Sequence, residues 1–115
     1  MAKNQKYPEN KHIALTADKP YKSGDPVAIG AYRGVALIDA EKDQRVTVWL
    51  DGSWEIDVDG ALTEGQVVYL KSAGGLTATE GTNKVWGVSN QAKATGTGPA
   101  EVAPFGMVVP TPAGP

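Results

Sequence analysis

His12 is the only histidine of the chain. An imidazole can act as general base for a serine, but that arrangement needs the nucleophile on a tight turn such as a G-x-S-x-G elbow. No such pattern occurs, so His12 reads as a residue at the start of a surface strand. Four carboxylates crowd one stretch: Asp51, Glu55, Asp57 and Asp59. The last three alternate along the chain and would share one face of a strand. Oxygen ligands on one face suit a hard cation such as Ca²⁺. The set offsets and closing Glu of an EF-hand loop are absent, and the solvated-face reading is preferred. A carboxylate pair for glycoside hydrolysis needs a cleft to hold it, and nothing in the sequence signals one. There is no G-x-x-x-x-G-K-[ST] phosphate loop. With no Cys, disulfides and thiolate chemistry are excluded, which suits a reducing compartment. The residues therefore give no catalytic set, no metal site and no cofactor motif, and the expectation is a protein that is not an enzyme.

The remaining chemistry is aromatic. Trp49, Trp54 and Trp86 would suit a sugar-binding platform. By alternation Trp54 falls on a core face, while Trp49 falls on the opposite face. An exposed tryptophan marks an interface for a protein as well as for a sugar, so Trp49 is an interface candidate.

The elements that would position these residues are short. The chain has 115 residues, with 14 Gly and 8 Pro, a composition that favours turns and strands over long helices. This length suits one domain. Net charge is −2, which argues against general nucleic-acid binding. No stretch approaches the ~20 apolar residues of a membrane span, and the N-terminus has no apolar signal region. The expectation is a soluble protein without membrane or nucleic-acid partners. Charge is uneven: Lys3, Lys6 and Lys11 against Glu9 give the first twelve residues +2 and leave −4 for the rest. Residues 1–12 read as an extended arm suited to docking on an acidic surface, and Tyr7 adds an apolar anchor with a polar tip. The alternative for this stretch is a frayed, solvated terminus.

Beyond the arm, strands and turns alternate. The spacing predicts strands at 12–16, 26–30, 33–38, 66–71, 75–79, 85–90 and 101–109, the last with Pro104 as a candidate break. Residues 91–99 read as a flexible loop, and 110–115 as a Pro-rich tail that cannot join a central sheet. Residues 45–58 read as a hairpin. A three-residue Leu50-Asp51-Gly52 loop pairs Val48 with Trp54 and Val46 with Ile56, and sets Arg45 opposite Asp57. The fold expected is all-β: a single small barrel or sandwich of short strands over residues 13–109.

One pattern occurs twice. Lys22-Ser23-Gly24-Asp25-Pro26-Val27-Ala28-Ile29 aligns with Thr63-Glu64-Gly65-Gln66-Val67-Val68-Tyr69-Leu70. A Gly-Val pair follows each, in Gly34-Val35-Ala36 and Gly87-Val88-Ser89. The second copy carries an extra polar stretch, residues 71–84, read as an inserted hairpin or loop.

These motifs carry a resemblance. Gly24-Asp25-Pro26-Val27, Gly34-Val35-Ala36, the run from Trp54 to Leu62, Gly65 to Leu70, Leu76-Thr77-Ala78-Thr79 and Gly87-Val88 occur in an order that resembles the phage capsid decoration (cement) proteins, over residues 22–109. The resemblance implies a non-enzymatic structural protein without cofactors, made in the host cytoplasm and placed on the outer capsid surface of the virion. It would bind there as a homotrimer near three-fold and quasi-three-fold positions and clamp adjacent major capsid proteins. Lys3, Lys6, Tyr7 and Lys11 are the candidate capsid-binding residues. The alternative is a carbohydrate- or host-surface-binding β-module on a virion.

Overall fold

The computed structural model describes residues 11–107, and among them there are ten strands and no helix. In order these are β1 (His12–Thr16), β2 (Pro26–Ile29), β3 (Tyr32–Ala36), β4 (Arg45–Trp49), β5 (Trp54–Asp59), β6 (Val67–Leu70), β7 (Leu76–Thr77), β8 (Lys84–Ser89), β9 (Thr97–Pro104) and β10 (Gly106–Met107). The first four strands and β10 form an open sheet, in which β1 pairs β4, β4 pairs β3, and β3 pairs both β2 and β10. The strands β5, β7, β6, β8 and β9 close into a barrel.

The two sheets are built on one plan. Val27 faces Gly34 in β2–β3, and Val68 faces Gly87 in β6–β8. Before each of these strands, a tight turn is held by the same three contacts. The side chain of Asp25 accepts from the N–H of Lys22, and that of Gln66 accepts from the N–H of Thr63. Gly24 N–H donates to Ala36 C=O, as Gly65 N–H donates to Ser89 C=O. An isolated bridge joins Tyr21 to Ala40 in the first half and Leu62 to Lys93 in the second. Thus β1, β2, β3 and β4 correspond to β5, β6, β8 and β9. Gly24 and Gly65 both have φ near +90°, at +94° and +85°, where a Cβ is strained. That need explains why a glycine recurs in each copy of the motif.

The inserted stretch 71–84 supplies β7. It pairs antiparallel with β6 and parallel with β5, and so closes the second half. The first half has no insertion and stays open.

The expected hairpin at 45–58 does not form. Within it, β4 pairs β1 and β3, whereas β5 pairs β9 and β7. Val48 faces Ile13 and Ala36, and Trp54 faces Val102. The Arg45–Asp57 pair is absent in consequence: Arg45 lies opposite Thr16 and Asp57 opposite Pro99. The alternation itself is right, since Val46, Val48 and Val58 are buried and Glu55, Asp57 and Asp59 are exposed. Leu50 explains the difference. It is 5% exposed and packs in the core of the first half, so residues 51–53 form a crossover between halves. Alternation fixes which face of a strand is apolar, but not which neighbour it pairs with.

Strand β9 also starts earlier than expected, at Thr97 within the segment read as a loop. Pro99 faces Asp57. Gly60 N–H donates to Gly96 C=O, a phase that makes Asp57–Pro99 a non-hydrogen-bonded pair. The missing N–H of Pro99 therefore costs that ladder nothing. Nor is the rest of the loop loose: the Lys93 ammonium donates to the carbonyls of Gly60, Ala94 and Gly96.

Two apolar cores result. Val46, Val48, Val27, Ala36, Tyr21 and Leu50 fill the first half. Val58, Leu62, Val68, Leu76, Ala100 and Val102 fill the second, together with Trp86, and Ala28 and Val35 join them from the first half. With neither a disulfide nor a helix in the described body, burial of this kind is the main favourable term holding the halves together.

Candidate functional site

Cross-strand pairing places His12 and Trp49 directly opposite each other in β1–β4. Residues opposite one another share a face, and here the two rings meet edge to face with centroids 5.1 Å apart. Ala14 and Thr47 continue the same face, and the N–H of Leu37 donates to the C=O of Thr47. Leu37 and the adjoining Ile38 are 36% and 47% exposed. This face of the open sheet thus carries Trp49, half-buried, near the exposed Leu37; across β3 it is covered by the second half at Val35, which lies opposite Trp49. Lys11 lies at its rim, where its C=O accepts from the N–H of Leu50 at 2.6 Å.

The three tryptophans have separate roles. Trp86 is fully buried, with its indole N–H donating to Gly34 C=O at 3.1 Å. Trp54 is half-buried against the second core and donates to Asp51 C=O at 3.2 Å. Trp49 belongs to neither core, and its Nε1 approaches the Gly52 turn. The three indoles do not line up as a stacking platform for a sugar. Of the expected contact residues, Trp49 and Lys11 lie on or beside the same face. Lys3, Lys6 and Tyr7 lie outside the described residues.

The carboxylates of β5 point outward in a row, and Glu101 of β9 lies directly opposite Glu55. Like charges in that position repel. Asn90 offsets this by donating to Glu101 at 3.0 Å, and hydrogen bonds from Asn90 and Ser53 hold the Glu101 carboxyl below its ordinary pKa. No cluster of His, Asp or Glu among the described residues is arranged to hold a metal ion. His12 has Trp49 as its ring neighbour.

Sequence reasoning missed Leu37 and Ile38. Alternation places them at the end of a strand, and an aliphatic residue there is indistinguishable from a core residue until its sheet has an inside. The described residues contain no helix long and apolar enough to cross a membrane. A family model for phage cement proteins matches residues 7–104, a span that includes both halves of the duplicated body. No curated protein matches the chain.

Proposed function

The chain belongs to the phage cement protein family, and on that premise we propose that it decorates the outside of an assembled head and clamps neighbouring copies of the major capsid protein. The family match over residues 7–104 is the observation that carries this reading. The role is structural, without turnover. Trp49, Leu37 and Ile38 supply the apolar part of the contact. Lys3, Lys6, Tyr7 and Lys11 supply a basic arm with one aromatic anchor, and Lys11 joins it to the body beside Leu50.

Such a clip works by mass action. A protein that binds the assembled shell and not its separated subunits shifts the equilibrium towards the shell. In the proposed homotrimer, three copies of the contact act together and residence lengthens through avidity. An arm that orders on binding gives up some affinity to ordering entropy, but wraps more of its neighbour.

The test is deletion of residues 2–11, followed by occupancy measurements on shells that lack the protein, at low and high salt. The arm's role predicts weaker occupancy and a flatter salt response, because exposed charges are screened over about 8–10 Å at ordinary ionic strength. A truncated chain that folds and binds as the full chain does, with the same salt response, assigns attachment to the body alone. Failure of the full chain to occupy shells at all removes the capsid reading. Mass measurement in solution and on the shell tests the trimer.

A further inference from the structure

The strand that closes the second half has no counterpart in the first, and the place it would occupy is a cavity. In the second half, β7 bonds to Tyr69 of β6 on one side and to Asp59 of β5 on the other, where Ala78 N–H donates to Asp59 C=O. The duplicated plan makes Ala28 the equivalent of Tyr69, and Asp18 the equivalent of Asp59.

The main-chain groups of Ala28 and Asp18 both face the vacant position. Ala36 N–H donates to Asp25 C=O, which sets the phase of β2–β3: Val27 and Ile29 exchange bonds with β3, and Ala28 turns its N–H and C=O the other way. Ala17 spends both of its main-chain groups on Gln44 and Asp43, so those of Asp18 point away from them. A cavity of about 180 Å³ lies there, and Asp18 and Ala28 both line it. Neither residue's main chain has a hydrogen-bond partner in this direction among the described residues.

The cavity is also charged. Lys19, Lys71 and Lys84 border it, and none of them forms an ion pair among the described residues. Its one acid, Asp18, accepts a hydrogen bond from the Tyr21 hydroxyl at 2.6 Å. An occupant that completes the sheet must be extended and must bring negative charge. The chain's own ends do not fit that description. Residues 1–12 carry +2, and the last six residues include three prolines, which lack the N–H a strand needs.

We infer that the gap between β1 and β2 receives a short, acidic, extended segment of the capsid protein, which adds as a strand where β7 sits in the other half. The recognition is strand addition: main-chain bonds to Asp18 and Ala28 hold the segment, and the lysines select its charge. This rests on the capsid reading and adds to it a second contact, apart from the arm and from Trp49.

Two measurements on the full chain test it with protein-free shells as the probe. One is shell affinity of Lys71→Glu/Lys84→Glu, with Lys71→Gln/Lys84→Gln as the milder pair and thermal melting as the folding control. The other is hydrogen exchange of wild-type peptides covering residues 17–29, free and shell-bound. The expected result is an affinity loss of about tenfold or more for the Glu pair, a smaller loss for the Gln pair, and new protection over residues 17–29 on shells. Unchanged affinity and unchanged exchange overturn the inference while leaving shell binding intact. Lost affinity without new protection also overturns it, since the lysines then act at long range. Protection that rises with protein concentration, without shells, assigns the gap to a second copy of this chain instead. If the wild type does not bind shells, the capsid reading falls and this inference with it. Should both variants fail to fold, the exchange measurement alone decides.

Discussion

Arg33 and Trp86 occupy equivalent positions in the two halves, and each donates to a main-chain carbonyl of the other half. Arg33 Nε reaches Val85 C=O at 2.5 Å, and Trp86 Nε1 reaches Gly34 C=O at 3.1 Å. Arg33 is 8% exposed, and its Nη1 also donates to Gly30 and Tyr32 carbonyls. Burial lowers its pKa from the usual arginine range. The two side chains stitch a duplicated body together through reciprocal hydrogen bonds, one from a charged donor and one from a neutral donor.

Replacing Arg33 by Leu removes the donors and leaves buried carbonyls behind. The expected loss is about 2 kcal/mol of unfolding free energy, the usual cost of an unsatisfied buried polar group. Urea denaturation measures it. A midpoint equal to wild type would show that water replaces the guanidinium and that the clamp is dispensable.

Gly34 and Gly87 are equivalent residues at which the sheets allow no side chain. A Cβ on Gly34 would lie 2.3 Å from Trp49 O, and one on Gly87 would lie 2.1 Å from Ala103 O. Both obstacles are backbone, so Gly34→Ala and Gly87→Ala must separate strands and should each cost at least about 2 kcal/mol. Gly65→Ala meets nothing within 4 Å and pays only for its φ of +85°, about 1 kcal/mol. Melting temperatures that rank Gly65→Ala as the worst of the three refute the steric account.

Tyr21 makes stability depend on pH in alkali. Burial first, then the hydrogen bond to the Asp18 carboxylate, raises the pKa of its hydroxyl well above the ordinary tyrosine value. Because the folded value lies above the unfolded one, the stabilisation is complete below about pH 10 and is lost as pH rises further. Melting temperature should fall more steeply above that point in wild type than in Tyr21→Phe. Parallel curves for the two proteins count against this linkage.

Trp49 and Trp86 should separate binding from stability. Trp86→Ala empties a fully buried site and is expected to cost about 3–5 kcal/mol. Trp49→Ala removes a half-buried ring and should cost less than about 2 kcal/mol, while weakening occupancy of protein-free shells. Normal occupancy by a folded Trp49→Ala protein would move the contact to another face.

Much of this fold was legible because duplication leaves a local mark. Gly24 and Gly65 sit in turns that require positive φ, and that requirement survives in the sequence of both copies. Alternation in 45–49 and 54–59 correctly assigned the buried face of each strand. What it lacked was partnership. Val48 satisfies Ile13 and Ala36 as well as it would satisfy Trp54, and only the burial of Leu50 sends the chain onward instead of back. Residues 71–84 were legible as an insertion, yet its closing role depends on a parallel pairing of Asp59 with Thr77 that no local pattern announces. The candidate face was half legible. Trp49 followed from alternation, whereas Leu37 and Ile38 became visible only once the sheet had an outside.

The two ends of the described body meet at Leu50. Its N–H bonds the C=O of Lys11, and a Cβ on Gly106 would lie 3.1 Å from its C=O. The two ends of the described body are therefore neighbours across a single residue. This is the geometry that tolerates circular permutation: a short linker can join the ends, and new ones can be opened at the exposed Ser72-Ala73 turn. It also means that, in a chain trimmed to residues 11–107, cargo fused at either end starts from the same point on the body, so the choice of end changes the polarity of a displayed peptide without moving its anchor.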